Sequence, residues 1–161
     1  MSAHAAIGPV ADACLCFEVA GQRRAVAVAA VREVLAALTV TPVPGAPSFA
    51  CGVANLRGRI VPVVDLRCVL DAVDTAERAA AVGPVLVVAG DPARCPRIAV
   101  RVDSVAGLCD RTAVAAGGWQ PFDVAVLLAA LTGPRGEPGA HMLAAVDAAA
   151  PSGAPDDEDP R

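Results

Sequence analysis

Gly52-Val53-Ala54-Asn55-Leu56-Arg57-Gly58-Arg59-Ile60-Val61-Pro62-Val63-Val64-Asp65-Leu66-Arg67 is the stretch that decides the fold. Asn55 to Gly58 reads as a turn, because Gly58 takes a positive φ without a Cβ penalty and Asn55 tolerates the left-handed region. Ile60 to Val64 is a short apolar run rich in β-branched residues, the pattern of a buried strand. Pro62 has no N–H for a sheet ladder, so that strand is expected at an edge or at a bulge. Asp65 stands where a helix N-cap belongs, ahead of Leu66 to Leu70. The unit is turn, edge strand, capped helix, with Gly52, Pro62 and Asp65 as its structural residues.

The same stretch carries no catalytic constellation. It has no His, no Ser or Cys nucleophile and no carboxylate pair. It does place an Arg on a turn in apolar surroundings, suited both to tying down a loop and to gripping a partner.

This sixteen-residue pattern resembles the signature of the CheW family, the bacterial chemotaxis coupling proteins. Upstream, Phe17 to Gly21 is similar to that family's opening hairpin, Val31-Arg32-Glu33-Val34-Leu35 to its V-x-E-V-L segment, and Pro42 to Pro47 to its proline-rich approach. Downstream, Leu127 to Gly133 and His141-Met142-Leu143 resemble its last strands. The resemblance runs from Cys14 to Ala149. It implies an all-β domain of two small five-stranded, SH3-like barrels packed side by side, with short helices. It also implies a non-enzymatic adaptor with no catalytic residues, metal or cofactor. Its partners would be the cytoplasmic hairpin of a chemoreceptor and the regulatory domain of a CheA-type histidine kinase. The receptor site would comprise Val31, Glu33, Asn55, Leu56, Arg57 and Gly58. Read without the resemblance, Glu33 is the solvated face of a one-turn helix.

At 161 residues the chain has the length of one domain with a real core. Of its apolar residues 37 are Ala and 25 are Val, and aromatics are 2%, so the core must be built from small aliphatic side chains. The net charge is −4, and Asp156 to Asp159 with Arg161, four acids less one base, supply −3 of it. A nearly neutral body offers no electrostatic footprint for nucleic acid. No basic segment precedes an apolar one in the manner of a signal peptide. The apolar runs Ala25 to Val31 and Val124 to Leu131 are far shorter than the ~20 residues of a membrane span. A cytoplasmic protein is expected, reaching membrane-bound receptor arrays only through its partners, without direct insertion.

Six cysteines stand at 14, 16, 51, 68, 95 and 109. They have no C-x-x-C spacing, and neither His4 nor His141 lies at finger-like distance from one. Free thiols packed as small hydrophobes are expected. A thiol- or metal-dependent redox enzyme using His141 is the alternative of a different class. It needs a low-pKa Cys beside a base, and no motif supplies one. An adaptor of the same family serving a non-flagellar array, such as one for pilus motility, is a further alternative.

Along the chain, residues 1–12 lack periodicity and are expected to be disordered. Leu15, Phe17 and Val19 alternate with Cys14, Cys16 and Glu18. They lead through a turn at Gly21-Gln22 to Arg24, Val26 and Val28. Val31 to Leu38 has the spacing of a short helix. Residues 71–83 form an Ala-rich internal connection. Pro84 to Gly90 and Arg97 to Asp103 form a second strand pair, with Asp91-Pro92 opening the turn. Trp119, in a Gly-rich loop, is either an interface anchor or a barrel plug. The domain is expected over 13–150, followed by a disordered acidic tail over 151–161. Deleting 151–161 should leave the melting temperature and partner binding unchanged, as read by differential scanning calorimetry and titration calorimetry. A marked loss of stability would show that the tail docks on the body.

Overall fold

The computed structural model describes residues 13–70, 82–92 and 95–132. The expected disordered ends 1–12 and 151–161, nearly all of the 71–83 connection and the expected strand at His141–Leu143 lie outside them.

The chain opens with β1 (Ala13–Val19) and β2 (Gln22–Ala27), an antiparallel hairpin. Its turn is one residue earlier than the sequence suggests. Ala20 (φ 52°) and Gly21 (φ 72°) both lie in the left-handed region, and Gln22 already pairs with Val19. This mirror-image two-residue turn matches the twist of the flanking strands. Ala20 bears the strain of a non-glycine there, and its N–H donates to Asp103 Oδ2 at 2.7 Å.

A single 3-10 turn (Val28–Ala30) leads to β3 (Val31–Leu35). The helix expected from Val31 is therefore a strand. Val31 and Val34 are β-branched and prefer the pleated surface. Antiparallel pairing with Val85 to Val88 overrides the helical spacing. Then follow β4 (Ala50–Leu56), β5 (Arg59–Asp65), α1 (Leu66–Val69), β6 (Val85–Asp91) and β7 (Cys95–Arg101). After these come β8 (Ser104–Asp110), α2 (Arg111–Ala116), β9 (Gln120–Pro121) and α3 (Val124–Thr132). Residues from Leu127 onward, expected in a late strand, belong to α3. Val124, Leu127, Leu128 and Leu131 recur at helical spacing and turn toward the main core. The Asp123 carboxylate accepts the Ala125 N–H at 2.7 Å at the start of that helix.

The strands form two sheets, in the orders β8-β1-β2-β9 and β3-β6-β7-β5-β4. They correspond to the two SH3-like barrels of the expected fold. The centre of the second sheet, β6, β7 and the end of β5, is buried on both faces. Leu86 and Val88 of β6, Ile98 and Val100 of β7 and Val64 of β5 face the first sheet. There they join Leu15, Phe17, Val19 and Val26, with Leu66 and Val69 of α1 and Phe122, Val124 and Leu127. Val85, Val87, Ala99, Val61 and Val63 point the other way and fill the second barrel with Ala54 and Leu56. Period-two alternation sends successive residues of these three strands into different cores.

Pro62 is not on an edge strand, since β5 lies between β4 and β7. The parallel ladder to β7 begins only at Val63, one residue beyond it. On the other side Pro62 faces Val53, three pairs from the hairpin turn. The alternation of hydrogen-bonded pairs makes this a position where no N–H is required. A register shift lies between Ala50 and Gly52 of β4. Gly52 has φ 140°, and a Cβ there would run into the Thr41 carbonyl. Thr41 and Val53 exchange backbone hydrogen bonds at 2.8 and 2.9 Å across that contact.

Phe17 is fully buried, and its ring meets Phe122 edge to face at a centroid separation of 5.6 Å. In a core otherwise made of small side chains, its loss leaves a cavity that neighbours cannot fill. Phe17→Ala should cost about 3–5 kcal/mol of unfolding free energy. Ile60→Ala, at a side chain 68% exposed, should change stability by no more than about 0.5 kcal/mol. Urea unfolding followed by circular dichroism checks both.

Candidate functional site

The tip of the β4–β5 hairpin is a two-residue turn, Arg57-Gly58, with φ values of 51° and 81°. The Asn55 side-chain carbonyl accepts the Gly58 N–H at 2.8 Å and fixes the turn. From this tip the Arg57 guanidinium reaches Glu33 on β3, Nη2 to Oε2 at 2.8 Å. β3 and β4 are the two ends of the five-stranded sheet. A contact between them means that the sheet has curled until its edges meet. Leu35, Leu38 and Val40 pack across the gap onto the inner core, and the Thr41–Val53 bridge completes the closure. Glu33 is largely covered, with 17% of its side chain exposed, while Arg57 is 79% exposed. Arg57 therefore both clasps the barrel and presents a donor-rich face to solvent.

The other residues expected at this site are placed less uniformly. Val31 is half-buried and packs against the main core. Asn55 is exposed, although its carbonyl is occupied by Gly58. Leu56 is buried in the second barrel and supports the tip from beneath. Ile60, opposite Asn55, was hidden in the sequence by the apolar run it begins, and it stands open to solvent. Val34 on β3 is also exposed, at 43%.

A second cluster holds the architecture. Asp65 is fully buried and caps α1 by accepting the Arg67 N–H at 3.0 Å. The same carboxylate takes the Arg67 side chain in two bonds, Nε at 3.0 Å and Nη2 at 2.6 Å. The Asp65 hydrogen bond is the main cause that raises the Arg67 pKa above its ordinary value, against the opposing effect of burial. Arg67 Nε also lies 3.6 Å from Asp103, whose other oxygen holds Ala20. The network thus links the β1–β2 turn, the approach to β8 and the start of α1.

A family model, the CheW-like domain, matches residues 13–114. The chain belongs to the CheW-like domain family. Relatives include the chemotaxis protein CheW of Rhizobium meliloti (strain 1021), 43% identical over 51 residues that cover 32% of this chain and 33% of that protein. Protein FrzA of Myxococcus xanthus is 47% identical over 51 residues, 32% of each chain. The matches thus span about a third of the length of these relatives. The fold is similar to the crystal structure of the scaffolding protein TtCheW from Thermoanaerobacter tengcongensis. That likeness has a TM-score of 0.50 and 23% identity, covering 62% of this chain and 64% of that one.

In this CheW-like domain Trp119 is half-buried against the outer face of the first sheet, beside Cys16, Ala25 and Val114. The Arg23 guanidinium lies 4.2 Å over its ring and donates to the Gly117 carbonyl at 2.9 Å. Gly117 is needed there, because a Cβ would meet the indole at 2.7 Å. Among the described residues no group of three His, Cys, Asp or Glu side chains is placed to hold a metal ion. No helix among them is long and apolar enough to cross a membrane.

Asp65→Ala removes the cap and leaves the Arg67 guanidinium facing Asp103 at 3.6 Å. The expected loss is about 3 kcal/mol. Asp65→Asn, which keeps the capping carbonyl, should lose less. Unfolding in urea checks the order of the two variants.

Proposed function

We propose that this CheW-like domain is a non-enzymatic adaptor that couples the cytoplasmic hairpin of a chemoreceptor to the regulatory domain of a CheA-type histidine kinase. It would act in the cytoplasm, at receptor arrays. The observation that supports this reading is the closed barrel edge at Glu33 and Arg57. A rigid turn there, locked by Asn55, carries a solvent-facing guanidinium beside the exposed Ile60. A helical hairpin needs a firm surface with an apolar contact and a few polar anchors. Arg57 supplies the anchor, Ile60 the apolar contact and Asn55 and Gly58 the rigidity; Leu56 packs beneath the tip, and Val31, on the strand that carries Glu33, would add a half-buried apolar contact. Membership of the family and the scaffold named in the related structure support the absence of catalysis in this reading.

A second reading within the same class is an adaptor of a non-flagellar array. It is favoured by the likeness to Protein FrzA, whose name does not specify chemotaxis. A pull-down from the native cytoplasm separates the two by the kinase and receptor it recovers.

Arg57→Ala should weaken binding to a receptor hairpin by about 1–3 kcal/mol, the worth of a lost charge-assisted hydrogen bond. Because the guanidinium is mostly exposed, the same change should cost no more than about 1 kcal/mol of stability. Glu33→Lys should weaken receptor binding as well, by repelling Arg57 from its seat. Affinity for the kinase regulatory domain should move little in either variant. Titration calorimetry against each partner, with circular dichroism for folding, reads the outcome. Equal loss of both partners from a folded variant would overturn the separation of sites, and unfolding of Arg57→Ala would make Arg57 purely structural.

A further inference from the structure

Three cysteines gather on the outer face of the first sheet. On β1, Cys14 and Cys16 point away from the main core, opposite to Leu15 and Phe17. On β8, Cys109 is the direct cross-strand partner of Cys14. Facing residues in antiparallel strands have Cα atoms about 4.5–5.5 Å apart. That lies within the Cα separation a disulfide spans, about 4.4–6.8 Å. Cys14 and Cys109 are half-buried, while Cys16 is fully enclosed.

The enclosure sorts the three thiols by chemistry. Burial, then a hydrogen bond shared with Cys109 and the neighbouring sulfurs, pushes the Cys16 thiol up to about 12. Since the thiolate is the reactive form, Cys16 is an inert packing group. Cys14 differs, because it lines a cavity of about 820 Å³ whose wall also includes Arg111, Val114 and Trp119. This opening admits a small neutral oxidant to the Cys14 sulfur.

We infer that Cys14 and Cys109 form an oxidisable pair, a modification site that closes to a cross-strand disulfide when a hydroperoxide enters the cavity. In the first step the Cys14 thiolate attacks the peroxide. The O–O bond breaks, Cys14 becomes the sulfenic acid and, with hydrogen peroxide as the oxidant, hydroxide leaves. In the second step the Cys109 thiolate attacks the Cys14 sulfur, forming the S–S bond and expelling the sulfenic oxygen as hydroxide. The two thiol protons end on the two hydroxides. Two thiols and one peroxide thus give one disulfide and two waters, with two electrons passing from sulfur to oxygen. The link would staple β1 to β8 beside α2, on a different sheet from the Glu33–Arg57 clasp.

The test uses the full chain, treated with hydrogen peroxide, quenched by alkylation and digested with trypsin without reduction. Cleavage at arginine places Cys14 and Cys16 together on peptide 1–23 and leaves Cys109 alone on peptide 102–111. The expected product is these two peptides joined, two hydrogens lighter than their sum. Fragment ions should put the bridge on Cys14 and the alkyl group on Cys16. Dithiothreitol should reverse the joining. The Cys16→Ser variant should form the link, and Cys14→Ser and Cys109→Ser should not. A bridge on Cys16 would overturn the pairing, as would oxidation that stops at unlinked sulfinic acid. Equal linkage after unfolding in urea would also overturn it, since the preference would then owe nothing to the sheet. The fragment ions of the unaltered protein decide the matter even where a variant fails to fold.

Discussion

The architecture depends on the central strands β5 to β7, which are buried on both faces and filled mostly with aliphatic side chains. β6 shows the constraint most clearly. Four consecutive residues, Val85 to Val88, are each at most 1% exposed, and alternate ones belong to different cores. A strand of this kind tolerates no polar residue on either side. It also explains the composition: Val and Ala fill two shallow interiors, and the few large groups stand where the layers meet. Phe17, Phe122, Leu66 and Leu127 all lie in the interior between the sheets. Volume lost there is felt by both barrels, because the second sheet forms a wall of each.

Much of this was legible in the sequence, for identifiable reasons. The hairpin at Asn55 to Gly58, the strand after it and the Asp65 cap each follow from local chemistry, and local chemistry survives in the fold. The misreadings arise where non-local pairing intervenes. Val31 to Leu38 has helical spacing, but β6 claims its backbone. The strand expected from Leu127 rests on the family resemblance, whereas Val124, Leu127, Leu128 and Leu131 recur at the spacing of the helix that forms there. Pro62 suggests an edge, yet an interior strand accommodates it where one ladder has not begun and the other needs no donor. Ile60 reads as buried because the run it opens is buried. Exposure at a strand end is decided by where the neighbouring strand stops.

The candidate surface follows the same division. The rigidity of the turn belongs to Asn55, Arg57 and Gly58 and can be read from three adjacent letters. The contact between Arg57 and Glu33 cannot be read from their spacing, since it exists only because the sheet curls. Likeness to a family can place the two residues on one surface without saying that they touch. The ion pair adds a physical meaning: the guanidinium that faces solvent is held by the carboxylate that closes the barrel, so the candidate surface and the barrel closure share one contact.

Chain order within the two sheets carries a consequence for how the protein is made. The second sheet is drawn from one continuous span, β3 to β7, whereas the first combines β1 and β2 with β8 and β9. During synthesis the inner span is complete while the partners of the opening hairpin are still in the ribosome. The second barrel can assemble from its own strands. The first two strands meanwhile wait with apolar faces uncovered, save for what the new barrel shields. The late arrival of β8 and β9 then closes the earliest part of the chain. Such an enclosed topology trades folding speed for long-range contacts. It places the most aggregation-prone interval at the nascent N-terminal hairpin, between the emergence of residue 27 and that of residue 121.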